Sequence, residues 1–256
     1  MATPDQLPDN SVLAERLGIT AIDLTVVDTA RLSPTMQRIV LTGPQLRGME
    51  HAAGQDLMLT IGGDGGGVVR RRYTMRYLAP TEATVTLAVL LHGDGPGASW
   101  AGAVRPGDRV GAVGPRGKVV LDPDGSWHLF VGDDSFVPAA LSMAEAAPTD
   151  ATLMLVLGVA GPADRQPHAI AAEATTLEWA YRHDAPPDDA TALLDELAEI
   201  ELPKGLGHAY VGAELGVMQA VSAALRERGL PEDAISAKPY WRSGVANAPH
   251  GEPARG

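Results

Sequence analysis

The hydrophobic rhythm of this chain changes near Asp122, and that change constrains its folding more than any other feature. Before it, apolar residues alternate with polar ones, as in Ile22, Leu24 and Val26 and again in Val85, Leu87, Val89 and Leu91. Spacing of two puts these side chains on one face of a strand, and Gly, Pro and Asp punctuate the runs. After it, short apolar strands alternate with segments of helical period. The first half therefore predicts an antiparallel β-barrel or sandwich, and the second an α/β domain with a parallel sheet covered by helices.

In the second half the pattern predicts strands over 127–132, 152–159, 176–180 and 208–212. Helices are expected over 138–147, 188–200 and 214–228. The second of these carries Leu193, Leu194, Leu197 and Ile200 on one face, and the third turns Val217, Val221 and Leu225 inward. The domains expected are a lead-in over 1–19, a barrel over 20–122, an α/β domain over 123–242 and a loose tail over 243–256. The stretch from Gly62 to Gly67 is expected to be a flexible loop.

Composition narrows the chemistry. The chain has no cysteine, which removes disulfides, thiolate metal sites and iron–sulfur clusters, so a redox enzyme built from it must borrow a cofactor. Its formal charge of -12 disfavours a nucleic-acid partner. The acidity is uneven: residues 1–120 carry 12 Lys/Arg against 11 Asp/Glu, and residues 121–256 carry 8 against 21. The asymmetry either reflects solubility alone or fits anionic ligands settling on the first half. The longest apolar runs, such as 152–160, are too short to span a bilayer, so no membrane partner is expected. The N-terminus lacks a basic and an apolar signal region, which leads to an expectation of a cytoplasmic protein. No G-x-S-x-G, H-E-x-x-H or P-loop motif is present, and the seven histidines lack metal-ligand spacing, so no metal site is expected.

Four segments remain that can carry chemistry. Arg70-Arg71-Arg72-Tyr73-Thr74-Met75-Arg76 reads as a strand with Arg71, Tyr73 and Met75 on one face and Arg72, Thr74 and Arg76 on the other. A ring, a hydroxyl and guanidinium groups make either a flavin cradle or a solvated basic strand. His92-Gly93-Asp94-Gly95-Pro96-Gly97-Ala98-Ser99-Trp100 leads into a helix with room for one or two turns, too short for a dinucleotide fingerprint. Its N-terminus is either a pyrophosphate seat or a plain glycine turn. Gly132-Asp133-Asp134-Ser135 and Gly212-Ala213-Glu214 each run from strand through glycine into helix, where α/β sheets bind ligands and where turns need glycine in any case. Tyr240-Trp241 either covers a cofactor face or pins the last strand.

In order, these segments resemble the siderophore-interacting proteins, flavin-dependent ferric-siderophore reductases of ferredoxin reductase-like architecture. The R-x-Y-T-x-R motif of that family stands as Arg71 to Arg76, its H…G-P-A-S-x-W-A stretch is approximated by His92 and Gly95 to Ala101, and its G-D-E-T-A-x-P-A turn by Gly132 to Ala139. The G-E-x-x-x-M and Y-W-R-x-G pieces look like Gly212 to Met218 and Tyr240 to Gly244. Three departures stand out: Ser135-Phe136 replaces Thr-Ala, the serine of Ala98-Ser99 is shifted by one, and Pro239 replaces glycine. Bulky Phe136 falls at a turn expected to face the cofactor crevice.

The resemblance implies FAD on the barrel, with Tyr73 stacked on the isoalloxazine and Thr74 at its N5 edge as the catalytic pair. It implies that Arg71 and Arg76 hold phosphate or ribityl groups and that Gly97, Ala98, Ser99 and Trp100 seat the pyrophosphate, with His92 close by. NADH or NADPH would enter over Gly132, Asp133 and Ser135 and over Gly212 and Glu214, with Trp241 covering the flavin. Arg70, Arg72 and Lys118 would form a basic pocket for an anionic ferric siderophore. Two other readings of the same cradle stay open: a flavoenzyme acting on an organic substrate, and a flavin or siderophore carrier.

Overall fold

A computed structural model describes residues 9–62, 68–93 and 95–245. The glycine loop beyond Gly62, Asp94 and the tail from residue 246 lie outside these. The chain divides into two compact units, residues 1–117 and 118–256.

In the first unit, period-two alternation produces β1 (Thr20–Ser33), β2 (Met36–Thr42), β3 (Asp56–Gly62), β4 (Val68–Ala79), β5 (Thr84–Leu90) and β6 (Arg109–Arg116). All neighbouring pairs are antiparallel and the sheet closes as β1-β2-β5-β4-β3-β6, a barrel rather than a sandwich. Closure joins sequence-distant strands, Thr20–Thr25 of β1 lying against Arg109–Gly114 of β6. Inward residues of the alternating runs, among them Ile22, Leu24, Ile39, Leu57, Leu59, Met75, Leu87 and Ala112, form one buried cluster. Such burial stabilises by about 25 cal/mol per Å² of apolar surface, which is why the closed form, with no exposed sheet edge, wins. Helix α1 (Ser11–Leu17) packs on β1 and β6, and Asn10 before it accepts a 2.9 Å hydrogen bond from Thr60 of β3. Helix α2 (Pro96–Ala103) is two turns long and buries Gly97 and Ala101.

The second unit is a five-stranded, wholly parallel sheet ordered β11-β10-β7-β8-β9, built from β7 (Trp127–Gly132), β8 (Thr152–Val159), β9 (Ala174–Tyr181), β10 (Gly207–Glu214) and β11 (Ile235–Trp241). Helices α3 (Val137–Ala146), α4 (Thr191–Glu199) and α5 (Leu215–Glu227) cover it. The chain runs from β7 outward to β8 and β9, then returns to β10 on the other side of β7. Strand order therefore reverses between β7 and β10, and the crevice for a ligand lies beyond their carboxyl ends. The connector from Lys118 goes with this unit, where the Asp122 amide donates to the Tyr210 hydroxyl at 2.8 Å.

Several element ends differ from the sequence expectation by a few residues, and two of them have a local reason. Helix α4 starts at Thr191 rather than 188, because the Asp189 carboxylate accepts the Thr191 amide at 2.7 Å and so marks the entry. Glu214 completes β10 and caps α5 instead of joining it. Pro239 sits inside β11, a strand at the sheet edge, where alternate amides face away from the ladder and a register shift with β10 falls beside it.

Candidate functional site

On the barrel, β4 and α2 bring four of the expected residues together. Met75 is fully buried in the interior and Tyr73 packs on the same cluster, so the inward face of β4 is the one carrying Arg71, Tyr73 and Met75. A bulge between Met75 and Tyr77 then shifts the register and brings Leu78 inward. The Tyr73 and Trp100 rings are stacked, with centroids 6.1 Å apart and planes 21° from parallel. Gly97 lies against Tyr73 and Arg71: a Cβ there would come within 2.6 Å of the Tyr73 hydroxyl and 3.5 Å of Arg71 Cγ. The result is an aromatic ledge with a guanidinium beside it, over the first turn of a helix whose amides favour an anion. Burial pushes the Tyr73 phenol up, only partly opposed by the charge of Arg71, so the hydroxyl stays protonated and available as a donor. Ala98, Ser99 and His92 lie nearby in sequence, Ser99 and His92 exposed; Arg76 follows Met75 at the bulge, half-buried.

Arg72 is placed differently from its expected role in a substrate pocket. Its Nε and Nη2 grip the Asp56 carboxylate at 2.9, 3.0 and 2.6 Å, and both side chains are nearly inaccessible. A buried guanidinium already neutralised by two carboxylate oxygens has no charge to offer a chelate. Thr74 is buried directly across from Asp56 in the β3–β4 register, while Arg70 and Lys118 are exposed. Asp56 was missed by the sequence reading, although a lone acid at the head of the apolar run Leu57 to Ile61 is a signal that it needs a buried cation.

In the second unit the expected residues converge at the carboxyl ends of β7 and β10, where the Asp133 amide donates to the Gly212 carbonyl at 3.3 Å. The side chains are engaged with one another. Asp133 accepts four hydrogen bonds: from the Ser135 amide at 2.9 Å and the Ser135 hydroxyl, from the Glu214 amide at 2.8 Å, and from the Trp241 indole at 2.9 Å. It thus ties the ends of β7, β10 and β11 to one buried carboxylate. Burial raises its pKa, and the four donors work in the opposite direction. Glu214 accepts the Gly216 and Val217 amides and, at 3.0 Å, the Ser243 amide. Trp241 is therefore held by its N–H within this unit, the pinning role its position also allowed.

Phe136 does not stand in the crevice. It is fully buried, edge-on to Tyr240 with centroids 5.7 Å apart. The two motif glycines make room for it: a Cβ on Gly132 would lie 2.6 Å from Phe136 Cδ1, and one on Gly212 would run into Cδ2 and lie 2.7 Å from Cγ. The glycines of this turn therefore have a packing reason, whatever ligand lies above them.

The sequence reading placed Asp134 only within its turn and missed Arg182. Arg182, after β9, pairs with Asp134 after β7. Asp134 is still raised to about 6, because burial outweighs the pairing and the charges of Asp133 and Asp164 add to it. Among the described residues no three His, Asp or Glu side chains come together to hold a metal ion, and no helix is long and apolar enough to cross a membrane.

The chain is similar to known proteins in both of its halves. Residues 64–119 match the family described as Siderophore-interacting FAD-binding domain, and residues 125–244 match that described as Siderophore-interacting protein. Over 182 residues, 69% of this chain, the sequence is 31% identical to the ferric vibriobactin reductase ViuB of Vibrio cholerae. The matched stretch spans 65% of the length of that protein, as it does of mycobacterial relatives. Identity is 26% to an NADPH-dependent ferric-chelate reductase of Escherichia coli, covering 86% of this chain and 92% of that one. The crystal structure of a siderophore utilization protein from T. fusca superposes with a TM-score of 0.82 at 29% identity, covering 91% of this chain and 96% of the other. With both halves matched in order and the fold shared along nearly the whole length, the chain belongs to the siderophore-interacting protein family.

Proposed function

We propose that the protein is a flavin-dependent reductase that takes electrons from NADH or NADPH and passes them to a ferric siderophore, releasing Fe(II). The observation that carries this reading is the barrel ledge, where Tyr73 stacks with Trp100 and, with Arg71, crowds Gly97, a Cβ on which would meet the Tyr73 hydroxyl. Those residues fit FAD. The stacked rings would offer a face to a tricyclic ring, Arg71 and the first turn of α2 would offer charge and amides to its phosphates, and Thr74, on the opposite face of β4, is assigned to the same cofactor. Arg76, Ala98 and Ser99 are assigned to the same cofactor. A bound flavin supplies the conversion between two-electron delivery by nicotinamide and one-electron uptake by Fe(III). Reduction weakens the hold of hard oxygen donors on the iron, which favours its release.

The chain's own contribution is positional. The protonated Tyr73 hydroxyl is a fixed donor, and the barrel holds its ring rigidly against α2. The nicotinamide nucleotide is assigned to the crevice beyond Gly132 and Gly212, where Asp133 and Glu214 hold the turns in shape and the backbone meets the ligand. Arg70 and Lys118, exposed cations, remain the residues offered to an anionic chelate; Arg72 is withdrawn from that role.

The test is direct. Purified protein should be yellow and release FAD on denaturation, and Tyr73→Ala with Thr74→Ala should weaken FAD binding. Without oxygen, NADH or NADPH should bleach the flavin, and a ferric siderophore should restore its colour as an Fe(II) chelator captures the product. Colourless protein that ignores added FAD overturns the proposal. Flavin that binds but stays oxidised with both nucleotides overturns the reductase and leaves a carrier.

A further inference from the structure

We infer that the buried Asp56–Arg72 ion pair keeps the midpoint potential of the bound flavin low, Asp56 cancelling a guanidinium charge that would otherwise make the cofactor a weaker reductant. The inference rests on the flavin reading above, and it gives Arg72 an electrostatic role at the cofactor in place of a contact with substrate.

The two strands place the pair. Asp56 opens β3 and stands directly across from Thr74 of β4. Residues paired in this way have their Cβ atoms roughly 5 Å apart. Arg72 precedes Thr74 by two positions, a spacing that brings both side chains to one face of the strand. Carboxylate, guanidinium and threonine therefore share one patch, and Thr74 is the member assigned to the flavin.

The pair is dry. Arg72 Nε reaches both oxygens of Asp56, at 2.9 and 3.0 Å, and Nη2 reaches Oδ2 at 2.6 Å, while the two side chains are only 9% and 6% exposed. Gly117, at φ +111°, packs against them: a Cβ there would lie 3.4 Å from Asp56 Oδ2 and 3.7 Å from Arg72 Nη2. Arg70, on the same strand, is exposed, so water and salt screen its charge. A buried charge is screened far less, and its field reaches neighbouring groups at several times the strength it has in water. The charge of Arg72 has to be cancelled on the spot, and the Asp56 carboxylate does so.

The sign of the effect follows from the chemistry. Reduction adds electrons to the ring system, so a lone positive charge close by favours the reduced state and raises the potential, whereas a lone negative charge lowers it. Iron(III) held by hard oxygen donors is a weak oxidant. A cofactor that gives electrons to it needs a low potential, which an uncompensated Arg72 would oppose.

The full-length protein loaded with FAD is titrated spectroelectrochemically without oxygen at pH 8, which keeps a lone carboxylate ionised. Asp56→Asn should raise the midpoint potential and Arg72→Gln should lower it. Each shift should correspond to a ~10-fold change in the relative affinity for reduced and oxidised flavin, or about 30 mV for a two-electron couple. Arg72→Lys, which keeps the charge, and the double variant Asp56→Asn with Arg72→Gln, which removes both charges, should stay near wild type. A purely structural pair that only held Thr74 in place would move both single variants in the same direction. Shifts of like sign, or unmoved potentials, therefore overturn the inference and leave the flavin reading standing. If one single variant alone retains FAD, the sign of its shift decides; if neither does while the double variant does, the pair is structural and the inference is overturned. Wild-type protein that binds no FAD overturns the flavin reading and the inference together.

Discussion

Phe136 and the glycines around it allow a test of whether the turn after β7 is shaped by packing. Replacing Gly212 with alanine drives a methyl into Phe136 Cδ2 and to 2.8 Å from Tyr240 Cε2. Overpacking of this kind costs about 1–3 kcal/mol. Phe136→Ala alone empties a fully buried ring site and should cost about 3–5 kcal/mol. If the glycine exists to admit the ring, the two losses cannot add. With the ring gone, the methyl introduced by Gly212→Ala enters vacated space into which the neighbouring Tyr240 ring can also shift, so the double variant should lose little beyond Phe136→Ala, a coupling of about 1–3 kcal/mol. Gly132→Ala is the control. Its methyl meets the Gly212 carbonyl as well as the ring, and removing the ring cannot move backbone, so its cost should persist in the Phe136→Ala background. Urea unfolding followed by circular dichroism measures all five variants. Additivity of Gly212→Ala and Phe136→Ala within about 0.5 kcal/mol would refute the packing argument.

Gly97→Ala should weaken FAD binding by roughly 2- to 10-fold, the value of an aromatic contact disturbed by moving the Tyr73 hydroxyl, while helix propensity holds or raises stability; parallel fluorescence titration and thermal melts separate the effects. Asp56→Ala should cost about 3–5 kcal/mol by leaving the Arg72 guanidinium buried and unpaired, and Asp56→Leu with Arg72→Met should recover most of it, as read by denaturant midpoints. Acid should act in two opposed ways. Burial lowers the pKa of His128 and His208 below 6.5, so the unfolded chain takes up protons first and stability falls as pH drops through 6.5. Asp134 is raised to about 6 from 3.8, so the folded chain takes up that proton first and stability rises as pH drops through that interval. His128→Phe should flatten the first limb and Asp134→Asn the second in denaturation midpoints measured from pH 7 to 4; unchanged profiles would show these groups titrating as in the unfolded chain.

Local readings succeeded where the physics is local. Residues Trp127–Gly132 and Thr152–Val159 are strands over the ranges their apolar runs predict, and two turns of helix follow the His92 loop because the chain from Ala98 to Val104 has room for no more. The inward face of β4 follows from alternation until the bulge after Met75, which depends on how β4 meets β5 and has no signature in the alternation itself. Asp133 and Glu214 were legible as residues at the ends of two strands, and Trp241 only as a residue that covers a cofactor or pins the last strand. That they are engaged with one another depends on donors up to 108 positions apart in sequence.

By itself the sequence determined what a period of two or of 3.6 residues and a missing cysteine can dictate: a β half, an α/β half, and that any redox chemistry the chain performs needs a borrowed cofactor. Only the tertiary structure decided that β1 closes on β6, that Arg72 is spent on Asp56, and that Phe136 turns inward. The reason is that burial and hydrogen-bond partnership belong to pairs of residues brought together by the fold, and a side chain's chemistry is available to a ligand only when no such partner has taken it.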